Sequence, residues 1–140
     1  MVTIGDRLDA IRRREAKVPL YELIGLRVND FGPGRVSMSL TPAQTHANPR
    51  GSLAGGIIAT ALDTAAAWSC DLLCSEGNIC TTIDLKVNFL RPLAVTDGDV
   101  DVVATALHSG SRIMVSEAKM SRKDGKLIAV ALVTLAVVST

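Results

Sequence analysis

A long apolar segment with one carboxylate near its centre constrains the fold of this chain most strongly. Between Leu53 and Cys70 the only side chain expected to carry a charge is Asp63, within an Ala-, Ile- and Leu-rich run typical of a helix. A helix that is apolar on nearly all sides is expected to be buried. Because a buried carboxylate without partners costs several kcal/mol, Asp63 is expected to be either well hydrogen-bonded or functional.

Small residues surround this carboxylate on the predicted helix. Ala59, Thr60 and Ala67 lie four residues before, three before and four after Asp63, which places all of them on its side of the helix. Their short side chains leave space beside the carboxylate. That space could hold a substrate.

A loop rich in Pro and Gly precedes the helix and predicts a turn over Asn48–Ala54. The paired glycines Gly55 and Gly56 mark the predicted helix start, where backbone N–H groups have no partner within the helix. These donors and the helix dipole favour an anion or a developing oxyanion. A carboxylate and an oxyanion site on one helix suggest acyl transfer.

Size and composition limit the possible classes of protein. The 140 residues predict one domain over 1–140, and 48% hydrophobic residues with a net charge of +1 favour a globular protein. Arg12, Arg13 and Arg14 could form a phosphate patch, but a solvated helix face is the ordinary interpretation. Without a broad basic surface, nucleic acid is not an expected partner.

The cysteines and the apolar helix indicate the compartment. Cys70, Cys74 and Cys80 are odd in number, and the first residues do not resemble a secretory signal, so we expect reduced thiols in a cytoplasmic protein. Cys70 and Cys74 have no second Cys or His pair, and no zinc site is expected. Asp63 and the glycines argue against a membrane span.

The pattern along the chain predicts an α+β fold. An amphipathic helix over about 3–17, within an N-terminal segment 1–18 and ended by Pro19, precedes two strands that form a hairpin. The central helix to about Leu73 comes next, followed by four strands joined by short antiparallel turns. The last of these, Leu127–Val138, is apolar on both faces and should be covered on both sides. An antiparallel sheet curled around the long central helix satisfies this pattern.

The strand after the central helix shows a clear alternation. Thr82, Asp84, Lys86 and Asn88 alternate with apolar residues, which predicts that they share one face of the sheet. Thr82 is then either a residue of the inner face or a functional hydroxyl. Asp84 and Lys86 could form a solvated or interfacial pair.

These residues together resemble the hotdog-fold thioesterases, in the branch of the phenylacetate-pathway and small acyl-CoA thioesterases. That family has Asn, two residues, Gly, two residues, His-Gly-Gly, and Asp eight residues after the first of the paired glycines. Here the pattern reads Asn48, Gly51, Ala54-Gly55-Gly56 and Asp63, and the strand 82–92 is also similar. The resemblance covers residues 20 to 138.

The resemblance implies roles for individual residues. Asp63 would be the general base or nucleophile, and the Gly55 N–H would bind the oxyanion. Asn48 would place the water or the carbonyl, although it could equally stabilise the turn. Thr82 would assist the water. The family also implies a homodimer, or a tetramer of paired dimers, in which Asp63 of one subunit faces Gly55 of the other.

One position departs from the family pattern, because its histidine is replaced by Ala54. A methyl group cannot polarise a carbonyl, and the loss of one such hydrogen bond slows acyl transfer by a factor on the order of ten to a thousand. His46 lies two residues before Asn48 and could substitute for it. An exposed loop histidine is the more ordinary interpretation of His46.

The sequence therefore predicts an acyl-CoA thioesterase that hydrolyses an aryl or medium-chain thioester. No metal or redox cofactor is needed, and coenzyme A enters only as part of the substrate. A non-catalytic acyl-CoA-binding protein and a hotdog hydratase or dehydratase are the alternatives. Arg91, near a strand end, could meet the phosphates of coenzyme A. The predicted substrate-binding residues are Gly56, Ala54, Ala59, Thr60, Ala67 and Arg91.

Overall fold

The computed structural model describes residues 2–140. Their helices are α1 (Ile4–Arg12), α2 (Pro19–Ile24) and α3 (Gly55–Asp71). Their strands are β1 (Leu26–Gly32), β2 (Arg35–Leu40), β3 (Asn78–Phe89), β4 (Val100–Ser109), β5 (Ile113–Arg122) and β6 (Leu127–Ser139). The predicted order of helices and strands is confirmed.

The strands form one antiparallel sheet in the order β1-β2-β4-β5-β6-β3. The long helix α3 packs against this sheet and touches every strand, with Ile58, Leu62 and Ala66 in the core. Short hairpins join β4 to β5 and β5 to β6, while α3 makes the connection from β2 to β3. The strand β3 therefore lies at one edge of the sheet and β1 at the other.

The N-terminal helix is shorter than the predicted segment. A capping box formed by Thr3 and Asp6 starts α1, and the buried Leu8 attaches the helix to the core next to β1. The helix ends at Arg12, well before Pro19, so the prediction that Pro19 ends it is wrong. Pro19 instead occupies the first position of α2, where the missing N–H costs no hydrogen bond.

The apolar strand β6 is covered on only one side within this chain. Val133 and Leu135 face α3 and are fully buried, whereas Leu132 on the opposite face is 47% exposed. The prediction that both faces are covered is thus not met by one copy of the chain. A continuous apolar strand with an open face is a feature that a second subunit could cover.

Candidate active site

The start of α3 presents free backbone donors. Ala54 occupies the N-cap position without a side-chain hydrogen bond, and its own N–H donates to the His46 carbonyl at 3.0 Å. Among residues 2–140, neither the Gly55 nor the Gly56 N–H has a hydrogen-bond acceptor, and both residues are exposed. The two amides can therefore bind an anionic oxygen from outside this chain.

The loop before these amides is held by Asn48. Its Oδ1 accepts the N–H groups of Arg50 at 2.9 Å and Ser52 at 3.1 Å, and Gly51 adopts the positive φ that this turn requires. The Asn48 oxygen therefore stabilises the turn, as one of the two sequence interpretations states. Its Nδ2 has no acceptor among the described residues and stays available to a ligand.

The carboxylate of Asp63 lies on a half-buried stripe of α3. Ala59, Thr60 and Ala67 share this stripe, so the predicted small residues do line one side of the carboxylate. The Thr60 hydroxyl donates to the Gly56 carbonyl at 2.8 Å and is thereby turned back onto its own helix. The stripe consequently presents mostly methyl groups around one carboxylate.

A hydroxyl from β3 contacts this carboxylate directly. Thr82 Oγ1 donates to Asp63 Oδ1 at 2.7 Å, which places the predicted hydroxyl beside the predicted base. Asp63 Oδ2 has no hydrogen-bond partner among residues 2–140. One oxygen of the carboxylate is thus oriented by Thr82, while the other can accept a proton from water.

A β-bulge in β3 explains how Thr82 reaches the helix. The pairing with β6 skips Ile83, so Thr82 pairs with Leu135 and Asp84 with Thr134. Because one extra residue reverses the alternation, Thr82 faces α3 whereas Asp84 and Lys86 face away. The prediction that Thr82 shares a face with Asp84, Lys86 and Asn88 is therefore wrong.

An apolar cleft of about 290 Å³ opens beside Gly55. A methyl group built on Gly55 would lie 3.3 Å from the Phe89 ring, so this ring forms a wall close to the free amide. Arg91 lines the same cleft, and its Nη1 donates to the Leu127 carbonyl at 2.8 Å. The other lining residues are Leu53, Ile58, Leu90 and Pro92.

Sequence reasoning did not identify the apolar walls of this cleft. Phe89 and Leu90 come directly before Arg91-Pro92, where the sequence predicted a strand end and a contact of Arg91 with coenzyme A but no apolar wall. Both side chains are more than half exposed although Phe89 belongs to the side of the sheet that carries α3. Large exposed apolar residues at a strand end are the signal that could have indicated them.

His46 cannot replace the missing histidine of the family pattern. It is only 9% exposed, so the interpretation as an exposed loop residue is wrong. Its Nδ1 accepts the Ala43 N–H at 3.1 Å, and its Nε2–H donates to the Leu23 carbonyl at 2.7 Å. Both ring nitrogens are thus occupied, one within the loop and the other in joining the loop to α2, and neither reaches the start of α3.

Asp63 and the Gly55 amide lie too far apart to act on one carbonyl within this chain. Eight residues separate them, which at 1.5 Å per residue corresponds to about 12 Å along α3. A reacting carbonyl needs its base and its oxyanion donor within about 3 Å of the respective atoms. The two halves of the predicted site are therefore present but separate in one copy.

The cysteines lie away from this site, at the other end of α3. The side-chain donor atoms of Asp71, Cys74 and Cys80 come within 4.8 Å of one another, an arrangement in which a metal ion could be held. The expectation of no zinc site rested on the spacing of Cys70 and Cys74 alone, whereas the turn after α3 brings Cys80 next to Cys74. All three cysteines are free thiols.

The fold and these residues define an α+β protein of the hotdog type with a carboxylate and free amides on its central helix. The thioesterase superfamily model matches residues 50–129, and the chain belongs to this family of thioester hydrolases. No helix among residues 2–140 is long and apolar enough to cross a membrane.

Three relatives illustrate the similarity. Thioesterase PA1618 of Pseudomonas aeruginosa is 31% identical over 126 residues, covering 87% of this chain and 83% of its own length. Human acyl-coenzyme A thioesterase 13 is 29% identical over 99 residues, 69% of each chain. The crystal structure of a phenylacetic acid degradation-related protein from Ralstonia eutropha JMP134 superposes with a TM-score of 0.81 at 26% identity, covering 92% of this chain and 98% of the other.

Proposed function

We propose that this protein hydrolyses the thioester of an aryl- or medium-chain acyl-CoA to the free acid and coenzyme A. The observation that carries the proposal is the pairing of the Asp63 carboxylate with the Thr82 hydroxyl, on a helix whose first amides are free. The family membership and the similarity to an acyl-coenzyme A thioesterase support the same reaction.

In the proposed reaction Asp63 accepts a proton from water as the water oxygen attacks the thioester carbonyl. The Gly55 N–H, with the Gly56 N–H beside it, binds the oxygen that becomes negative. Collapse of the tetrahedral intermediate breaks the C–S bond, and the departing thiolate takes up a proton. Direct attack by Asp63, followed by hydrolysis of the anhydride, uses the same atoms and is a second route.

A homodimer is part of this proposal, because one copy cannot bring Asp63 and Gly55 to the same carbonyl. The edge strand β3 provides the means, since its outer backbone groups have no neighbouring strand within residues 2–140. Leu85 is 38% exposed and Phe89 54% exposed on the side of β3 that carries α3. Pairing of β3 with its symmetry mate would cover these side chains and place Asp63 of one subunit opposite Gly55 of the other.

A tetramer of paired dimers is a further element of the proposal. The face of the sheet away from α3 exposes Leu132 and Ile83, at 47% and 58%. Exposed apolar residues of this size on two neighbouring strands, one of which is apolar on both faces, support contact with a second dimer.

The substrate would lie between the two subunits. The acyl group would contact the stripe of Ala59, Thr60 and Ala67, whose small side chains leave space beside Asp63. The cleft next to Gly55 would take the thioester end of the pantetheine chain, and Arg91 at its border could pair with a phosphate of coenzyme A. The free thiols suit a reducing compartment such as the cytoplasm.

The proposal can be tested by thiol release from a panel of aryl, short, medium and long acyl-CoA thioesters. We expect hydrolysis by the wild-type protein and a loss of at least about a hundredfold in Asp63→Asn, which corresponds to roughly 2.7 kcal/mol of transition-state stabilisation. Asp124→Asn is the matched control, because this aspartate lies in the exposed turn between β5 and β6 and should leave turnover unchanged.

Two results would contradict the proposed hydrolase activity. Tight acyl-CoA binding without thiol release, equal in the wild type and Asp63→Asn, would indicate an acyl-CoA-binding protein. Water addition to an enoyl thioester with the thioester left intact would indicate a hydratase.

A further inference from the structure

Three sulfur atoms meet where the chain leaves α3 and enters β3. Cys74 Sγ and Cys80 Sγ are 3.3 Å apart, and Met114 Sδ from β5 lies 3.3 Å from Cys80 and 3.9 Å from Cys74. A disulfide bond is about 2.05 Å long, so the two thiols need to approach by only a little more than 1 Å. Cys70 is buried in the core one helical turn before Cys74. Its sulfur contacts the Ser69 hydroxyl and has no hydrogen bond to the other two thiols.

The two thiols differ in access to solvent. Cys74 is half-buried and lines a cavity of about 560 Å³ that is bordered by the N-terminal residues and the turn 75–78. Cys80 is 9% exposed and lies behind Cys74, among core residues. A small reagent from solvent can therefore meet Cys74 first, and Cys80 is placed to react with what Cys74 becomes.

We propose that Cys74 and Cys80 form a reversible intramolecular disulfide when the protein meets a hydroperoxide. The Cys74 sulfur attacks the peroxide oxygen, which breaks the O–O bond and gives a sulfenic acid and water or an alcohol. The Cys80 sulfur then attacks the Cys74 sulfur and expels hydroxide, which leaves as water. In total two thiols and hydrogen peroxide give one disulfide and two waters, and a dithiol reductant reverses the change.

The surroundings make this reaction slow but direct it to one product. Burial raises the pKa of both Cys74 and Cys80, and the nearby Asp71 carboxylate adds to the effect, so little thiolate is present near neutral pH. Once Cys74 is oxidised, the Cys80 sulfur is already in contact with it. Ring closure should therefore be faster than a second oxidation of Cys74.

The disulfide is expected to stabilise the fold where α3 meets β3 and to leave the active site intact. The Asp71 carboxylate already accepts the Cys80 N–H at 2.7 Å, so the end of α3 and the start of β3 are held together in the reduced protein. The crosslink adds a covalent tie at the same place. We expect the oxidised protein to unfold at a higher temperature than the reduced one, whatever reaction the chain catalyses.

The test uses the wild-type chain, reduced, desalted and exposed to hydrogen peroxide. We expect the count of thiols under denaturing conditions to fall from three to one, with the loss of two hydrogens in the intact mass. No Lys or Arg lies between Arg50 and Lys86, so trypsin leaves all three cysteines on one peptide. Cleavage after Asp71 and Glu76 separates them, and the peptides of Cys74 and Cys80 should remain joined until a reductant is added.

Variants assign the bond. Cys74→Ser and Cys80→Ser should each abolish the crosslink and its effect on the melting temperature. Cys70→Ala is the matched control that should keep both, since it removes the third thiol and leaves the pair intact. Peptide mapping of the wild-type chain needs no variant and remains decisive if one of them does not fold.

Several results would overturn the proposal. These are three thiols retained after oxidation, a sulfinic acid on Cys74 with Cys80 still free, and a crosslink between two chains. Elemental analysis of the purified protein gives a fourth: a stoichiometric soft metal that protects both thiols would show that the three sulfurs form a metal site.

Discussion

Subunit complementation should reveal whether the proposed site is shared between two copies of the chain. Asp63 and the Gly55 amide lie about 12 Å apart on one helix, so each site is expected to combine Asp63 of one subunit with Gly55 of the other. Asp63→Asn removes the base, and Gly55→Ala adds a methyl carbon only 3.3 Å from the nearest atom of the Phe89 ring. Each variant alone should retain little thioesterase activity.

Mixed dimers of these two variants contain one site with both changes and one site with neither. Random exchange makes about half of all dimers mixed, and one of the two sites in each is intact, so activity should recover to about a quarter of the wild-type value. The assay is thiol release from the best acyl-CoA of the panel before and after exchange, with dimer composition measured by native mass spectrometry.

The matched control mixes Asp63→Asn with the double variant that carries both changes, because none of its mixed dimers has an intact site. This mixture should stay inactive. If exchange is complete and the first mixture is no more active than the sum of its components, the shared site is refuted.

Four further results are expected. Thr82→Val should lower kcat by roughly ten- to a hundredfold, the value of a hydrogen bond to the charged Asp63, with an unchanged melting temperature, and Thr82→Ser should restore it. Ala54→His should raise kcat by a factor on the order of ten to a thousand if a donor at this position was lost. His46→Ala should destabilise the fold by about 2 kcal/mol in denaturant unfolding, because it removes two hydrogen bonds from a buried position. Burial raises the pKa of Asp71, so the ionisation of Asp71 opposes folding. The protonated Asp71 contributes fully to stability below the ordinary pKa of an aspartate, and this contribution is lost as pH rises through the raised pKa of the folded protein. Melting curves against pH should therefore show Asp71→Asn gaining stability relative to the wild type as pH rises.

The sequence was sufficient to predict the fold because its local patterns agree with one another. The Ala-rich run with paired glycines predicted α3 within two residues of its ends, and alternation with turn residues predicted the strands. These signals act over a few residues, so they survive without knowledge of the tertiary contacts. The resemblance, and not the alternation, also indicated Thr82 as a hydroxyl that assists the water, and the structure shows Thr82 in contact with Asp63.

The errors arose where a tertiary contact overrides a local pattern. The burial of His46 depends on the Leu23 carbonyl, twenty-three residues away, and nothing near His46 in the sequence indicates it. Pro19 was interpreted as a terminator, yet α1 had already ended and Pro19 was free to begin the next helix. The contact of Cys74 with Cys80 depends on the geometry of the turn between α3 and β3, which spacing alone does not specify.

The bulge at Ile83 decides which residues of β3 face α3, because the extra residue reverses the alternation of side chains from that point on. On its N-terminal side Thr82 points to α3, and on its C-terminal side Leu85 and Phe89 do, which no uninterrupted strand could achieve. If Ile83 were paired like its neighbours, with no bulge, one half of the strand would be turned over, and either the hydroxyl or the apolar wall would lie on the wrong side of the sheet. A comparison of related sequences that allows no gap here would likewise equate Thr82 with the wrong neighbour, so functional residues in this strand must be matched in space and not by counting.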